Sequence, residues 1–285
     1  MMRLAILMPS RDEPRFAAII GDWFERLAAP LRAAGADPVA VSWTDVGDLA
    51  RFDAVTPLLA WSYHRDPSAW LGLLDRIEAA GLPMANPPAV LRWNTRKTYL
   101  AELEAAGAPV IPTLFVEAVT PEAVAEAHER FGGEIIVKPQ ISGGSFDTLR
   151  LSKGAPLEGG PAGPAMLQPF LPAITGEGEL SLLYFDGLFS HAVGKVAREG
   201  DFRVQFQHGG RYQAISPPPE ALEAAGQVLA AANRPLTYAR IDLLRGADGV
   251  LRLMELEAIE PDLYLQHAHD GGAAYARAMM RALGG

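Results

Sequence analysis

The sequence contains no cysteine, which excludes disulfides and thiolate chemistry and agrees with a reducing compartment. It has no apolar run approaching the ~20 residues of a membrane span. The opening stretch Met1 to Ser10 is too short in apolar residues for a signal-peptide core, so a cytoplasmic location and no membrane partner are expected. Positive charge is scarce: 25 lysines and arginines stand against 34 acidic residues, a formal net charge of -9. General affinity for nucleic acid or an anionic membrane relies on a basic field, so neither is expected, and any anion must be held by local cations. There is no internal repeat, low-complexity tract or linker; the 23 prolines and 28 glycines are spread along the chain as short connections. What is present is an ordinary globular composition, 49% hydrophobic and 21% charged over 285 residues, with room for more than one lobe.

The first 88 residues read as a small α/β layer. Leu4 to Met8 is an apolar strand, and Arg15 to Ala34 is a helix with Trp23, Phe24, Leu27 and Leu31 at helical spacing, closed by Gly35. Strands over 38–43 and 54–60, a helix over 66–80 and a short strand over 83–86 complete a pattern that suggests parallel pairing. This part has no phosphate-binding glycine fingerprint. Ser10-Arg11-Asp12 and Trp61 to Asp66 follow strand ends, where ligands of open α/β sheets tend to lie, although ordinary polar loops read the same way.

Asn86-Pro-Pro88 marks a boundary. A helix capped by Asn94 or Thr95 is expected to run to Gly107, with Lys97 in its first turn. A cation there opposes the helix dipole unless it has another task, such as meeting phosphate. Strands over 112–116 and 134–139 flank a helix over 121–131, and the second strand ends in Lys138. Gln140 to Asp147 follows as a glycine and serine loop, after which 148–151 resumes the strand pattern. Its backbone N–H groups at Ser142, Gly143, Gly144 and Ser145 could fold over phosphate oxygens, or the loop could be a plain hairpin turn. Ala165 to Leu171 is apolar except for Gln168, whose amide can serve both donor and acceptor atoms of an adenine edge. Glu177 to Asp186 and Phe189 to Lys195 read as a hairpin around Asp186-Gly187. Ala197 to Asp201 reads as a mobile connection, and a helix over 218–232 leads onward.

Tyr238 to Pro261 carries the chemistry. Two runs alternate with period two around Gly246-Ala-Asp-Gly249, which predicts a β-hairpin. Arg240 and Asp242 share one face, Glu255 and Glu257 point the same way, and Ile241, Leu243, Leu253 and Leu256 are expected in a core. Three carboxylates on one platform repel one another unless a cation joins them, and Mg²⁺ takes carboxylate oxygens together with phosphates. A solvated acidic face is the alternative, but Leu-Met-Glu-Leu-Glu-Ala-Ile is a buried type of strand, and buried carboxylates need partners.

The order of these elements resembles the ATP-grasp superfamily. The sequence has a lysine in a helix, a lysine at a strand end before a Gly/Ser loop, a Gln-Pro-Phe connector, a Gly-Glu strand, and Asp followed by Glu-x-Glu. The likeness covers about residues 90–270. It implies an α+β fold with two lobes around ATP over 89–285 (small lobe about 112–170), preceded by a pre-ATP-grasp α/β domain over 1–88. It also implies phosphate contacts at Lys97, Lys138 and the 142–147 loop, an adenine-binding connector at Gln168, Pro169, Phe170 and Leu171, and a ribose-binding acid at Glu179. Asp242, Glu255 and Glu257 match the metal ligands, for two Mg²⁺ ions with Mn²⁺ as an expected substitute. Arg240 resembles the arginine that faces the transferred phosphate, and Lys195 joins it as a catalytic cation. Where the family usually has Glu-x-Asn, this chain has Glu255-Leu-Glu257, so an extra charge is expected at the metal. Short stretches around 189–195, 201–205 and 254–261 look most like the subgroup containing the cyclo-ligase of cycloserine biosynthesis.

The resemblance implies an ADP-forming carboxylate–amine ligase: a carboxylate attacks the γ-phosphate and an amine displaces phosphate from the acyl phosphate. Electrostatic stabilisation suffices for this chemistry, so the lack of a nucleophilic side chain is no obstacle. A non-catalytic ATP-binding regulatory module and a phosphotransferase are the alternatives. The substrate is expected to be small and amino-acid-like, bound by Arg203, His191, Arg211, Arg11 and Tyr63, and a homodimer is considered.

Overall fold

The computed structural model describes residues 1–10, 13–205 and 208–284. Strand β1 (Met2–Met8) lies between β2 (Ala36–Ser42) and β3 (Ala54–Thr56), parallel to both. Leu4 to Leu7 are all buried, as expected of a central parallel strand covered on both faces. Leu4 and Ile6 pack with α1 (Ile20–Ala33) and the C-terminal α7 (Ala273–Gly284), while Ala5 and Leu7 meet Trp70, Leu74 and Ile77 of α2 (Pro67–Ala79). The helix predicted from Arg15 starts later, after a separate 3-10 turn over Pro14–Phe16. The strand predicted over 54–60 stops at Thr56 because Pro57 has no N–H for a ladder, and Ala60 N turns back to Pro57 O at 2.7 Å.

The helix expected over 94–107 is instead two, α3 (Pro88–Thr95) and α4 (Tyr99–Ala105), with extended backbone at Arg96 between them. Asn94 and Thr95 do not cap a helix. Asn94 donates to Leu256 O at 2.8 Å and accepts from Ala258 N, and Thr95 Oγ1 accepts from Trp70 Nε1 at 3.0 Å. Lys97 therefore sits in a break between helices rather than in a first turn.

The rest of the chain forms two antiparallel sheets. Strands β4 (Leu114–Val116), β5 (Ile135–Pro139), β6 (Leu149–Leu151) and β7 (Ala165–Pro169) pair in the order β4-β7-β5-β6. Ile135, Val137 and Leu167 pack on Ala127 of α5 (Pro121–Phe131), which leaves Lys138 and Gln168 on the opposite face. The second sheet comprises β8 (Glu179–Phe185), β9 (Leu188–Val196), β10 (Arg211–Ile215), β11 (Tyr238–Arg245) and β12 (Leu251–Glu257), in the order β10-β9-β8-β11-β12. Leu180, Leu182, Ile241, Leu243, Leu253 and Leu256 bury one face against α4 and α6 (Pro219–Ala232). Each such side chain contributes about 1.5–3 kcal/mol. Leu183, Phe185, Val193 and Tyr238 bury part of the other face against the N-terminal layer and α7. Fully buried Asn86 fastens the two parts: its amide donates to Tyr238 O and Ala258 O at 3.0 and 2.9 Å and accepts from Thr237 N at 2.6 Å. The segment read as mobile is tied down, with Ala197 buried and Asp201 accepting from Phe202 N, Arg203 N and the Arg203 guanidinium.

Candidate active site

The second sheet's inner face is apolar at one end and charged at the other. Glu179 and Ser181 on β8, Lys195 on β9, and Arg240 and Asp242 on β11 share this face with Leu183 and Phe185, because alternate strand residues point the same way. Register places Lys195 opposite Glu179, Asp242 opposite both Ser181 and Glu255, and Arg240 opposite Glu257. A Cβ at Gly178 would lie 2.2 Å from the Lys195 carbonyl oxygen, and the residue has φ +85, so β8 can enter the site beside β9 only with glycine there.

Every charge in this row has an opposite neighbour. Lys195 Nζ meets Glu179 Oε1 at 2.5 Å and lies 3.4 Å from Asp242, and all three are buried. Arg240 holds Asp242 through Nε and Nη2, at 3.0 and 2.9 Å, and reaches Glu257 with the same Nη2. Ser181 Oγ donates to Asp242 Oδ1 at 2.5 Å. Burial works against the charge of Asp242, yet Arg240 and Lys195 hold its carboxyl below the usual range. Burial pushes Glu179 up to about 7 and Glu257 up to about 8, against the opposing pull of Lys195 and Arg240 respectively.

The phosphate-type residues gather from other elements. Lys97 Nζ, buried in the helix break, donates to Ser142 O at 2.7 Å and pairs with Glu255 Oε1 at 2.8 Å. Lys97 N also donates to Gln140 O at 2.8 Å, so helix break and glycine loop are stitched together. Lys138, at the end of β5, has no carboxylate within ion-pair distance among the described residues. Burial, and after it the nearby Lys97, lowers its pKa, while Glu255 and Glu179 oppose them. The loop from Gln140 to Asp147 connects β5 to β6; Ser142 Oγ donates to Phe146 O and Ser145 Oγ to Gln205 at 2.7 Å. Gly144, Ser145 and Asp147 adopt positive φ, which turns the loop back sharply.

Gln168 is buried, with its amide donating to Thr113 Oγ1 at 2.9 Å. Pro169 closes β7; Phe170 carries the Arg150 guanidinium 3.7 Å over its ring and Leu171 is buried beside it. Tyr63 lies close enough to Glu260, Glu255 and Glu257 that they add to the effect of burial in raising its pKa. Three residues expected to bind substrate stand apart from this cluster. His191 spends both ring nitrogens on Ser190 Oγ and Leu263 O, each at 2.9 Å. Arg203 is clamped on Asp201, and Arg211 is exposed on the edge strand β10. Arg11 lies outside the described residues.

Among the described residues, no three carboxylate or imidazole side chains converge as a metal cage. Asp242, Glu255 and Glu257 are drawn toward Arg240, Lys195 and Lys97 instead. The donor set nonetheless fits a hard cation. It consists of carboxylate oxygens on adjacent register positions, and burial, reinforced by neighbouring carboxylates, raises the pKa of Glu257 in this set and of Glu179 beside it.

Sequence reasoning left Glu260, Asp262 and His64 without roles. Burial and then Glu257 push Glu260 well up, and burial pushes Asp262 up to about 6. The spacing Glu255, Glu257, Glu260 in an apolar stretch is the available signal for Glu260; for His64 it is its place in the Trp61 to Asp66 stretch after a strand end.

Two antiparallel sheets bearing inward lysines and carboxylates, behind a parallel α/β layer, define the ATP-grasp architecture. Residues 10–86 match the model of the D-cycloserine synthetase DcsG N-terminal domain. The cycloserine biosynthesis protein DcsG of Streptomyces lavendulae is 30% identical over 279 residues, covering 88% of this chain and 91% of that protein. The crystal structure of D-cycloserine synthetase DcsG superposes with a TM-score of 0.83 at 27% identity, covering 99% of each chain. The ATP-grasp ligase PsnB, in a complex containing Mg and ADP, shares the fold with a TM-score of 0.64 at 20% identity, over 99% of this chain and 98% of that one. The chain belongs to the ATP-grasp superfamily and, within it, to the family of the cycloserine biosynthesis protein DcsG. It is an ATP-dependent, ADP-forming ligase.

Proposed function

We propose that this ligase activates a carboxylate-like group of a small amino-acid-like molecule as an acyl phosphate, for attack by an amine of the same or a second molecule. Residues 1–88 form the preceding domain and 89–285 the ATP-grasp part in this reading. The observation that carries it is Lys138, a half-buried cation with no carboxylate in ion-pair reach among the described residues, beside Lys97 and the glycine loop. An anion completes that arrangement, and ATP phosphates are the anions of this family.

Lys97, Lys138 and the loop amides hold the phosphates; Gln168 to Leu171 take the adenine and Glu179 the ribose. Freed from Arg240 and Lys97, Asp242, Glu255 and Glu257 would hold Mg²⁺, which when bound neutralises charge on the migrating phosphoryl group. Arg240 and Lys195 then face the phosphoryl oxygens with fixed positive charge, in a buried setting where such contacts are strong. In this reading Tyr63 and Arg240 face the substrate carboxylate. A small acceptor is supported by the acidic net charge, which disfavours polyanions, and by likeness to an enzyme named for D-cycloserine.

Calorimetry with Mg²⁺ and a non-hydrolysable ATP analogue tests the nucleotide reading; binding in the micromolar to millimolar range is expected, and absence of heat or thermal shift refutes it. A phosphate-release screen over amino acids, D-amino acids and their ureido and hydroxamate derivatives tests the acceptor. Activity with single compounds indicates cyclisation, activity only with pairs indicates ordinary ligation, and activity only with a polypeptide overturns the small-acceptor reading.

A further inference from the structure

His64 belongs to the N-terminal layer, in the 3-10 turn Tyr63–Arg65 that precedes α2. Both of its ring nitrogens are buried and find no hydrogen-bond partner among the described residues. Buried polar atoms are nearly always paired, so an orphaned imidazole calls for an explanation. Its surroundings supply one. A Cβ at Gly143 would stand 3.1 Å from His64 Nδ1 and 3.6 Å from Glu260 Oε1, so the backbone of the glycine loop lies directly against the imidazole, and a side chain there would press on the ring by a few tenths of an ångström. Phe146 of the same loop lies 5.4 Å from the His64 ring, and the Arg65 guanidinium sits 5.7 Å over Phe146. His64, Arg96, Gln140 and Phe146 also line one cavity of about 190 Å³. Lys97 is close enough that, after burial, its charge is the largest influence lowering the imidazole pKa, to about 4. The ring is thus neutral near pH 7, with one N–H to donate and one nitrogen to accept.

We propose that His64 is a further residue of the reaction site, contributed by the preceding domain, whose ring N–H donates to the terminal phosphoryl group of ATP held beneath the 140–147 loop. The inference rests on the ATP reading above and adds to it a contact from outside the ATP-grasp lobes. It gives one of the two orphaned nitrogens an acceptor, and it gives a reason for the close approach of the turn to the glycine loop.

The test compares affinities of the magnesium complexes of ADP and of the imido analogue of ATP, which differ by the terminal phosphoryl group. It uses the unmutated chain, His64→Phe and His64→Gln. Phenylalanine keeps a ring against Phe146 without a donor, and glutamine keeps a donor without the ring. His64→Phe should weaken binding of the imido analogue about tenfold, the size of one hydrogen bond to a charged acceptor, and leave ADP within about twofold. His64→Gln should recover most of the loss. Equal losses for both nucleotides, or unchanged imido-analogue binding in His64→Phe, overturn the proposal while the ATP reading stands. Failure of the unmutated chain to bind either nucleotide overturns both. If His64→Phe does not fold, His64→Leu takes its place as the variant without a donor: a tenfold loss of imido-analogue affinity with ADP within about twofold supports the contact, and unchanged imido-analogue binding or equal losses for both nucleotides refute it.

Discussion

Removing the Lys195 ammonium should cost this protein more stability at pH 8 than at pH 5. Lys195 Nζ is 2.5 Å from Glu179 and 3.4 Å from Asp242, and the three side chains are 2–4% exposed. Lys195→Met keeps the length of the side chain and leaves two buried carboxylates short of a cation. Breaking a buried pair from one side costs about 3–5 kcal/mol, which for a chain of this size lowers Tm by roughly 10 °C. The pH dependence follows from Glu179. Burial raises its pKa to about 7 even with Lys195 present, so its folded value exceeds its unfolded one. Such a group favours folding below the unfolded value, and that contribution is lost as pH rises through the folded one. Without Lys195 the folded value rises further, the carboxyl stays protonated at pH 5, and the penalty shrinks by up to ~1.4 kcal/mol for each pH unit of Glu179 titration. Urea unfolding of both proteins at pH 5, 6.5 and 8 measures this directly, with Glu179→Gln in each background closing a double-mutant cycle. A loss below about 1 kcal/mol at pH 8, or one independent of pH, refutes the claim that this lysine neutralises a buried acid.

Three further outcomes are expected. Glu255→Gln should abolish turnover with an unchanged circular-dichroism spectrum, because Glu255 is partly exposed and, among the described residues, paired only with Lys97; normal turnover would remove it from the metal set. Lys138→Ala, measured at fixed ionic strength because salt screens such contacts, should raise the apparent ATP constant and lower turnover together, whereas a merely structural lysine would move neither. Asn86→Ala should destabilise the fold by about 3 kcal/mol, since Tyr238 O, Ala258 O and Thr237 N each lose a buried partner; chemical denaturation showing less than 1 kcal/mol would deny it the fastening role.

Much of the site was legible because its signals are local. Lys138 announces itself at the end of an apolar strand before a Gly/Ser loop, and Asp186-Gly187, at φ +51 and +74, is the hairpin turn its composition predicts. The helix break at Lys97 was not legible, because it is imposed from a distance. Lys97 N bonds to Gln140 O, and Asn94 is drawn to β12 rather than to a helix terminus. The contacts of His64 and Glu260 likewise come from residues some 80 and 120 positions away, beyond the reach of any local pattern.

The alignment of charges on the inner face depends on two irregularities that period-two reading omits. In the β11–β12 hairpin Leu243 faces Leu253 but Asp242 faces Glu255, so Met254 is an extra residue bulged out of the ladder. Without it the register set at Arg245 and Leu251 would put Met254 opposite Asp242 and turn Glu255 and Glu257 into the apolar face with Ile241. The same bulge lets Leu253 and Leu256, of opposite parity, share one core. In the β8–β9 hairpin Tyr184 faces Phe189 but Leu183 faces His191, leaving Ser190 as the extra residue. Continuing the register of the turn would have placed Gly194, not Lys195, opposite Glu179. Each hairpin thus reverses the parity of its outer strand just before the charged end of the sheet. Its apolar half can pack in regular register near the turn while its ionisable half still points into the cleft. A bulge next to a site re-aims side chains that the strand would otherwise bury, and here two of them bring Lys195, Glu255 and Glu257 onto the face that already holds Glu179, Arg240 and Asp242.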